Sequence, residues 1–333
     1  MGAMVGLYFL TLVLFSTVAL SERCNPEDKK VLLQIKKDFN NPYLLASWNP
    51  DTDCCTTWYC VECDSKTNRI NSLIILSSVP DTNLSGPIPP SVGDLPYLET
   101  LEFHKLPKLT GPIQPAIAKL TKLKELEISW TNVSGSVPHF LGQLTNLQFL
   151  DLSFNNLSGP IPSSLSKLSK LLSLRLDRNK LEGPIPESFG SFKKPGPSII
   201  LSHNQLSGPI PSSLANIDPS RIDFSRNKLE GDASMLFGSN KTTQTLDVSR
   251  NLLAFDLSRV EFPTSLIALD LNHNKINGSI PVGLTALDSL QSFNVSYNRL
   301  CGEIPQGGTL QTFDKYSYFH NKCLCGSPLP SCK

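Results

Sequence analysis

No cysteine stands between Cys63 and Cys301, and all nine lie in the two flanks: Cys24, Cys54, Cys55, Cys60, Cys63, Cys301, Cys323, Cys325 and Cys332. The long middle of the chain must therefore hold together by packing and hydrogen bonds alone. Histidine is scarce, with five scattered residues, and no HExxH, GxSxG, P-loop or dinucleotide fingerprint occurs. This removes the commonest signatures of hydrolysis, phosphoryl transfer and hydride transfer, so no catalytic residue and no cofactor is expected. Charge of one sign is also lacking. Thirty Lys and Arg against 29 Asp and Glu leave +1, which offers no general attraction to nucleic acid. Long apolar runs are absent except at the start, where residues 2–20 lead to the small residues Ala19 and Ser21. Residues 1–21 read as a signal peptide, and no membrane span or kinase is expected in the remainder up to Lys333.

What the chain has is repetition. Residues 147–162, LQFLDLSFNNLSGPIP, return with small changes about every 24 residues. Aligned on the first inward apolar residue, the copies fall at Leu101, Leu126, Leu150, Leu174, Ile199, Ile222, Leu246, Leu269 and Phe293, after an irregular copy near Leu73. A unit of this length with an LxxLxLxxNxL core is the leucine-rich-repeat signature, one short parallel strand per unit. The fold class expected is an α/β repeat solenoid, a right-handed superhelix with a concave parallel sheet and disulfide-stapled caps. Period-2 alternation sends Leu150 and Leu152 into the core and should turn Asp151 and Ser153 outward. Asparagine recurs five residues after the anchor, at Asn155, Asn179, Asn204, Asn227, Asn251, Asn274 and Asn298. A buried amide there is tolerable only if it satisfies neighbouring backbone groups. Thr131 and Leu106 interrupt the series, so the ladder should weaken toward the N-terminal end.

The flanks read as caps over the open ends of the core. Asn25-Pro26-Glu27-Asp28 precedes a run with apolar Val31, Leu32, Ile35 and Phe39, a capped amphipathic helix, and Trp48 and Trp58 are expected to cover the first coil. The pairing expected is Cys24 with Cys54, Cys55 with Cys63, Cys301 with Cys323 and Cys325 with Cys332, leaving Cys60 over. No second CxxC or His pair completes a metal site with Cys60 and Cys63, so no metal site is expected.

The LSGxIP wording is a feature of plant-type leucine-rich repeats. The segments CNPEDKKVLLQIKKDFNNP, DCCTTWYCVECDS, VGDLPYLETLEFHK, GPIQPAIAKLTKL, RNKLEGDAS, NVSYNRLCGEIPQGG and HNKCLCGSPLPSC resemble those of plant polygalacturonase-inhibiting proteins from Cys24 to the last residue. The resemblance implies a secreted cell-wall glycoprotein of the apoplast that binds and inhibits fungal or insect endopolygalacturonases. The expected organisation is a signal peptide (1–21), an N-terminal cysteine-rich cap (22–68), about ten plant-type repeats (69–305) and a C-terminal cysteine-rich cap (301–333). A longer first-repeat loop, residues 77–83, departs from the family pattern. Six N-x-S/T sequons are present, at Asn83, Asn132, Asn156, Asn240, Asn277 and Asn294. The first three share one repeat position, read as a surface turn, whereas Asn294 should project from the concave sheet.

Equal offsets from successive anchors form columns on that sheet. One residue after the anchor stands a mostly acidic column that includes Glu102, Glu127, Asp151, Asp223 and Asp247. Four after it come Lys105, Trp130, Phe154, Arg178, His203, Arg226, Arg250, His273 and Tyr297, with Lys180 and Lys228 two further on. Aromatic anchors beside charge suit a protein partner, so Glu102, Glu127, Trp130, Asp151, Phe154, Asp177, His203, Asp223 and Asp247 are the expected contact set. Arginines recurring at one geometric position repel unless an anion lies across them. Arg178, Lys180, Arg226, Lys228 and Arg250 are therefore the expected site for pectin or polygalacturonate. The acidic column has a plainer explanation too, since an outward Asp can merely solvate the face or pair with a neighbouring Arg. Stacked carboxylates such as Glu127 and Asp151 imitate a glycosidase pair, yet an open sheet offers no cleft to raise a pKa. Two other non-catalytic roles fit the scaffold, a soluble receptor-like ectodomain and an ice-binding repeat protein. The first lacks its membrane segment here, and the second needs a flat, uncharged repetitive face.

Overall fold

The computed structural model describes residues 23–77 and 84–333, so the expected signal peptide, Asn83 and nearly all of the first-repeat loop lie outside the described residues. Ten parallel strands stack in chain order from Ile70–Leu76, Thr100–His104 and Glu125–Ser129 to Ala268–Asp270 and Ser292–Asn294. The register is anchor on anchor: Leu101 on Leu126, Leu126 on Leu150, Leu150 on Leu174, and so to Leu269 on Phe293. Val61–Cys63 adds an antiparallel strand from the first cap. The buried side chains form one continuous cluster from Cys24 to Tyr318, because a coil this thin can bury its apolar residues only against its neighbours.

Asparagine satisfies the turns as the spacing requires. Asn179 Nδ2 donates to the carbonyls of Leu152 (2.8 Å), Leu176 (3.1 Å) and Asp177 (3.3 Å), while its Oδ1 accepts from Leu157 N at 3.0 Å. The same set recurs at Asn204, Asn227, Asn251, Asn274 and Asn298. At the N-terminal end the series does change: the Thr131 hydroxyl donates to Asn155 Oδ1, and Leu106 is buried and apolar. The series also runs further than the regular repeats. Asn321 Nδ2 donates to Val295 O (3.0 Å) and its Oδ1 accepts from Leu300 N (3.0 Å), so the segment around Tyr318-Phe319-His320-Asn321 is one more, degenerate, coil.

Two expectations need correction. The repeat position read as a surface turn lies instead at the start of the LSGPIP segments, which are extended. They form a second sheet of short parallel strands, including Asn132–Gly135, Asn156–Pro160 and Lys180–Gly183, beside the first. Gly159 enters it at φ +77°, a conformation that a side chain disfavours, and Pro160 stands at a strand end. Asn132 and Asn156 therefore begin strands rather than occupy turns, with Asn156 Nδ2 donating to Asn132 Oδ1 at 3.0 Å. Second, Ser153 is buried, not outward, because the chain bends at the left-handed Phe154 immediately after it.

The helical component outside the first cap consists of one-turn 3-10 segments such as His139–Gln143 and Ser163–Lys167. They stack closely: a Cβ on Gly142 would lie 2.3 Å from the carbonyl oxygen of Ser164. In the first cap, helix Pro26–Asp38 is capped by Asn25 Oδ1, which accepts from Glu27 N and Asp28 N. Leu32, Ile35 and Phe39 are buried, and the stacked Trp48 and Trp58 rings close the coil end at 5.6 Å. Sequence reading missed the pin of this cap, buried Asp28, which accepts from Arg69 Nε (2.8 Å), Arg69 Nη2 (2.7 Å) and Ile70 N (2.9 Å). Disulfides join Cys24 to Cys54, Cys55 to Cys63, Cys301 to Cys323 and Cys325 to Cys332, and Cys60 is a half-buried free thiol.

Candidate functional site

The concave face takes its shape from one backbone feature. Every residue four after the anchor, from Lys105 through Trp130, Phe154, Arg178, His203, Arg226, Arg250, His273 and Tyr297 to His320, has φ between +53° and +60°. This left-handed kink turns the chain from the first sheet toward the second, and it throws the side chain out along the groove edge. Repetition then stacks these side chains. The Trp130 and Phe154 rings lie 3.6 Å apart and nearly parallel, and the Arg178 guanidinium sits 4.9 Å from the Phe154 ring centre. At the other end His273, Tyr297 and His320 stack at 4.1 Å each. Between these stacks Arg178, Arg226 and Arg250 are exposed, as are Lys180 and Lys228, and His203 is half-buried among them. Trp130 is 47% exposed, whereas Phe154 is half covered by its two neighbours.

The acidic column lies deeper. Glu102, Glu127, Asp151, Asp223 and Asp247 are all half-buried. Much of its recurrence has a local cause. Asp151 Oδ1 accepts from Ser153 N (2.9 Å), Asp223 Oδ1 from Ser225 N (3.1 Å) and Oγ (2.7 Å), Asp247 Oδ1 from Ser249 N (2.9 Å), and Asp270 Oδ1 from Asn272 N (3.0 Å). The LDLS wording thus fastens the strand end. Its outer carboxylate surface still faces the groove.

Asp177 is corrected from a contact to a supporting residue, since it is 5% exposed. It sits three after the anchor, in the floor with Ser153, Ser202 and Ser225. Burial raises its pKa, and neighbouring Arg175 only partly offsets this. Arg175, outside the expected contact set, bridges Asp151 at 3.1 Å and approaches Asp177 at 3.5 Å. An open basin of about 570 Å³ lies over this floor, with Asp177, Asp223, Asp247 and Asp270 below and Arg178, Arg226 and Arg250 at the rim. Asp270 and Arg175 stand one after their anchors, in the same column as Asp151, Asp223 and Asp247. Among the sequons, Asn132, Asn240 and Asn277 are exposed, Asn156 is half-exposed, and Asn294 pairs in register with Asp270 on the concave sheet.

Burial pushes the Asp247 carboxyl up to about 6, and raises Asp270 in the same direction. A raised carboxyl binds its proton in the folded chain before the unfolded chain does. Stability is therefore gained as pH falls through about 6 and is fully gained near the ordinary carboxylate range. His203 and His273 act oppositely, because burial and the adjacent arginines lower their pKa and disfavour the charged form. Asp247→Asn isolates the carboxyl. The rise in melting temperature between pH 7.5 and 5 should be smaller in this variant than in the parent, and an identical rise would exclude the Asp247 contribution.

Family models match the chain as a leucine rich repeat N-terminal domain over residues 25–64 and as leucine rich repeats over residues 146–168, 170–192, 198–217 and 265–287. A polygalacturonase inhibitor of Pyrus communis is 70% identical across 98% of both chains, and one of Vitis vinifera is 65% identical across 97% of this chain and 96% of its own. A solved plant ice-binding protein is 55% identical, covering 93% of this chain and 99% of that one, with a TM-score of 0.90. Among the described residues no helix is long and apolar enough to cross a membrane.

Proposed function

The chain belongs to the plant polygalacturonase-inhibitor family, and from that membership we propose that it inhibits fungal or insect endopolygalacturonases by covering them with its concave face. The observation that carries the placement is the Trp130–Phe154 stack standing beside the half-buried Glu127 and Asp151. Flat aromatic rings next to carboxylates give a partner both an apolar anchor and an oriented charge, the combination that concentrates interface energy. Ten strands about 4.8 Å apart span roughly 45 Å, enough to cover the mouth of a compact enzyme's cleft. Blocking access requires no chemistry from the inhibitor. A reducing-sugar assay of a fungal endopolygalacturonase on polygalacturonate, with and without this protein, tests the reading, and undiminished product release at saturating protein would refute it. The four disulfides support secretion into an oxidising compartment, and the plant cell wall follows from the substrate of the target.

The basic edge carries the second part of the proposal. Arg178, Arg226 and Arg250 repeat at the strand spacing with Lys180 and Lys228 alongside, a ladder of cations for an extended polyanion such as de-esterified pectin. Binding to polygalacturonate should weaken steeply with added salt, and replacing the three arginines with glutamine should weaken it about tenfold or more at low salt. Retention that ignores both changes would remove the basic edge from the proposal.

A second reading is favoured by the likeness to the solved ice-binding protein. The faces of the present chain oppose it. Lys180, Glu182, Lys228 and Glu230 are exposed on the second sheet, and the concave columns are charged. Such residues interrupt the regular uncharged surface that an ice lattice would have to match. Arrest of ice growth by this protein at concentrations where it leaves the pectinase untouched would reverse the order of the two readings.

A further inference from the structure

Sequence spacing assigned no metal site, because the cysteines offer no complete ligand set. Strand register creates a different opportunity. Glu102 and His104 are two residues apart on strand Thr100–His104, so both face the groove, and Glu127 stands directly across from Glu102 on Glu125–Ser129. The carboxylate oxygens and an imidazole nitrogen of these three side chains lie within 4.8 Å of one another. His104 Nδ1 is 2.8 Å from Glu127 Oε1 and 2.7 Å from the hydroxyl of buried Ser129, which itself donates to Glu127 Oε1 at 2.5 Å. Two glutamates directly opposed on neighbouring strands repel unless a positive group lies between them.

We propose that Glu102, His104 and Glu127 form a binding site for a divalent transition-metal ion of the zinc class, at the N-terminal end of the concave face. The donor set is an imidazole with two carboxylates, which suits zinc better than the all-oxygen sets of calcium or magnesium. Bonds of about 2.0–2.2 Å bring ligand atoms within about 4 Å of each other, so small side-chain rotations close the triad onto one ion. The Ser129 hydroxyl, already bonded to Glu127, then serves as the outer partner that orients a ligand. Three protein ligands leave a coordination position open toward the groove. All three side chains are half-buried, so an ion can enter from solvent yet is not fully hydrated. The hydrogen bond between His104 and Glu127 is given up when the ion enters, and the three ligand bonds replace it.

The test uses the full mature chain, stripped of metal with a chelator and titrated calorimetrically with zinc chloride at pH 7. One equivalent should bind. Glu102→Gln should weaken binding at least tenfold, and His104→Ala should abolish it. Each variant is melted without metal, so that a folding defect is separated from a ligand defect. Glu102→Gln is the decisive variant, since no hydrogen bond of the His104–Ser129–Glu127 triangle passes through that side chain. Cobalt(II) should give visible absorption bands in the parent that disappear in the variants. Absence of binding at millimolar zinc, or parental affinity in either variant, overturns the proposal.

Discussion

Truncating Trp130 and Phe154 to alanine, singly and together, should raise the inhibition constant against a susceptible endopolygalacturonase by about 30-fold or more for each single change. That factor corresponds to the roughly 2 kcal/mol of an interface hot spot. The two effects should not add, because the rings lie face to face at 3.6 Å and removing one leaves the other unsupported. Folding should survive. Trp130 is 47% exposed, and alanine at φ +53° carries the same backbone strain that tryptophan already bears. The control lies on the other sheet, where Glu182 and Glu230 are exposed. Should both ring variants inhibit like the parent while Glu182→Ala or Glu230→Ala abolishes inhibition, the enzyme binds the second sheet and the concave assignment is wrong.

A comparable loss, this time of stability, is expected from Asn179→Leu. The substitution keeps the approximate size but deprives Leu152 O, Leu176 O and Leu157 N of their partner in a position from which water is excluded. Each orphaned buried group costs about 1–3 kcal/mol, so a fall of about 3–5 kcal/mol in unfolding free energy is expected from denaturant titration. Lys180→Ala, the exposed neighbour, should stay within about 0.5 kcal/mol. Each coil touches only its neighbours, so amide exchange in the variant should accelerate first in the coils around Asn179. A loss below about 1 kcal/mol would mean that the coil relaxes enough to admit water.

Much of this architecture can be read from spacing, since a 24-residue period with apolar anchors fixes which residues stack and therefore every column. The asparagine ladder follows from the same period. What spacing hides is where the chain bends. Period-2 alternation directs Ser153 and Asp177 outward, yet the left-handed residue that follows each of them folds the turn over their side chains. The second sheet escapes because its strands are at most five residues long and place Pro160 or Pro209 at their ends. The extra coil at the C-terminal end was open to detection, as His320-Asn321 follows Tyr297-Asn298 by 23 residues. The Glu102–His104–Glu127 triad needed two columns to be considered together, and it is a property of register rather than of any local motif.

The recurring positive φ sets an alphabet for recognition. Its ten letters here are Lys105, Trp130, Phe154, Arg178, His203, Arg226, Arg250, His273, Tyr297 and His320, and none is branched at Cβ. Branched residues are the costliest occupants of a left-handed backbone, and proline cannot adopt it at all. The surface can therefore change its partner by exchanging long or planar side chains while the coil beneath is untouched, but valine, isoleucine, threonine and proline are closed to it. A library that randomised these ten positions without those four residues would explore new specificities on a scaffold that still folds, and one that included them would lose its members to misfolded coils.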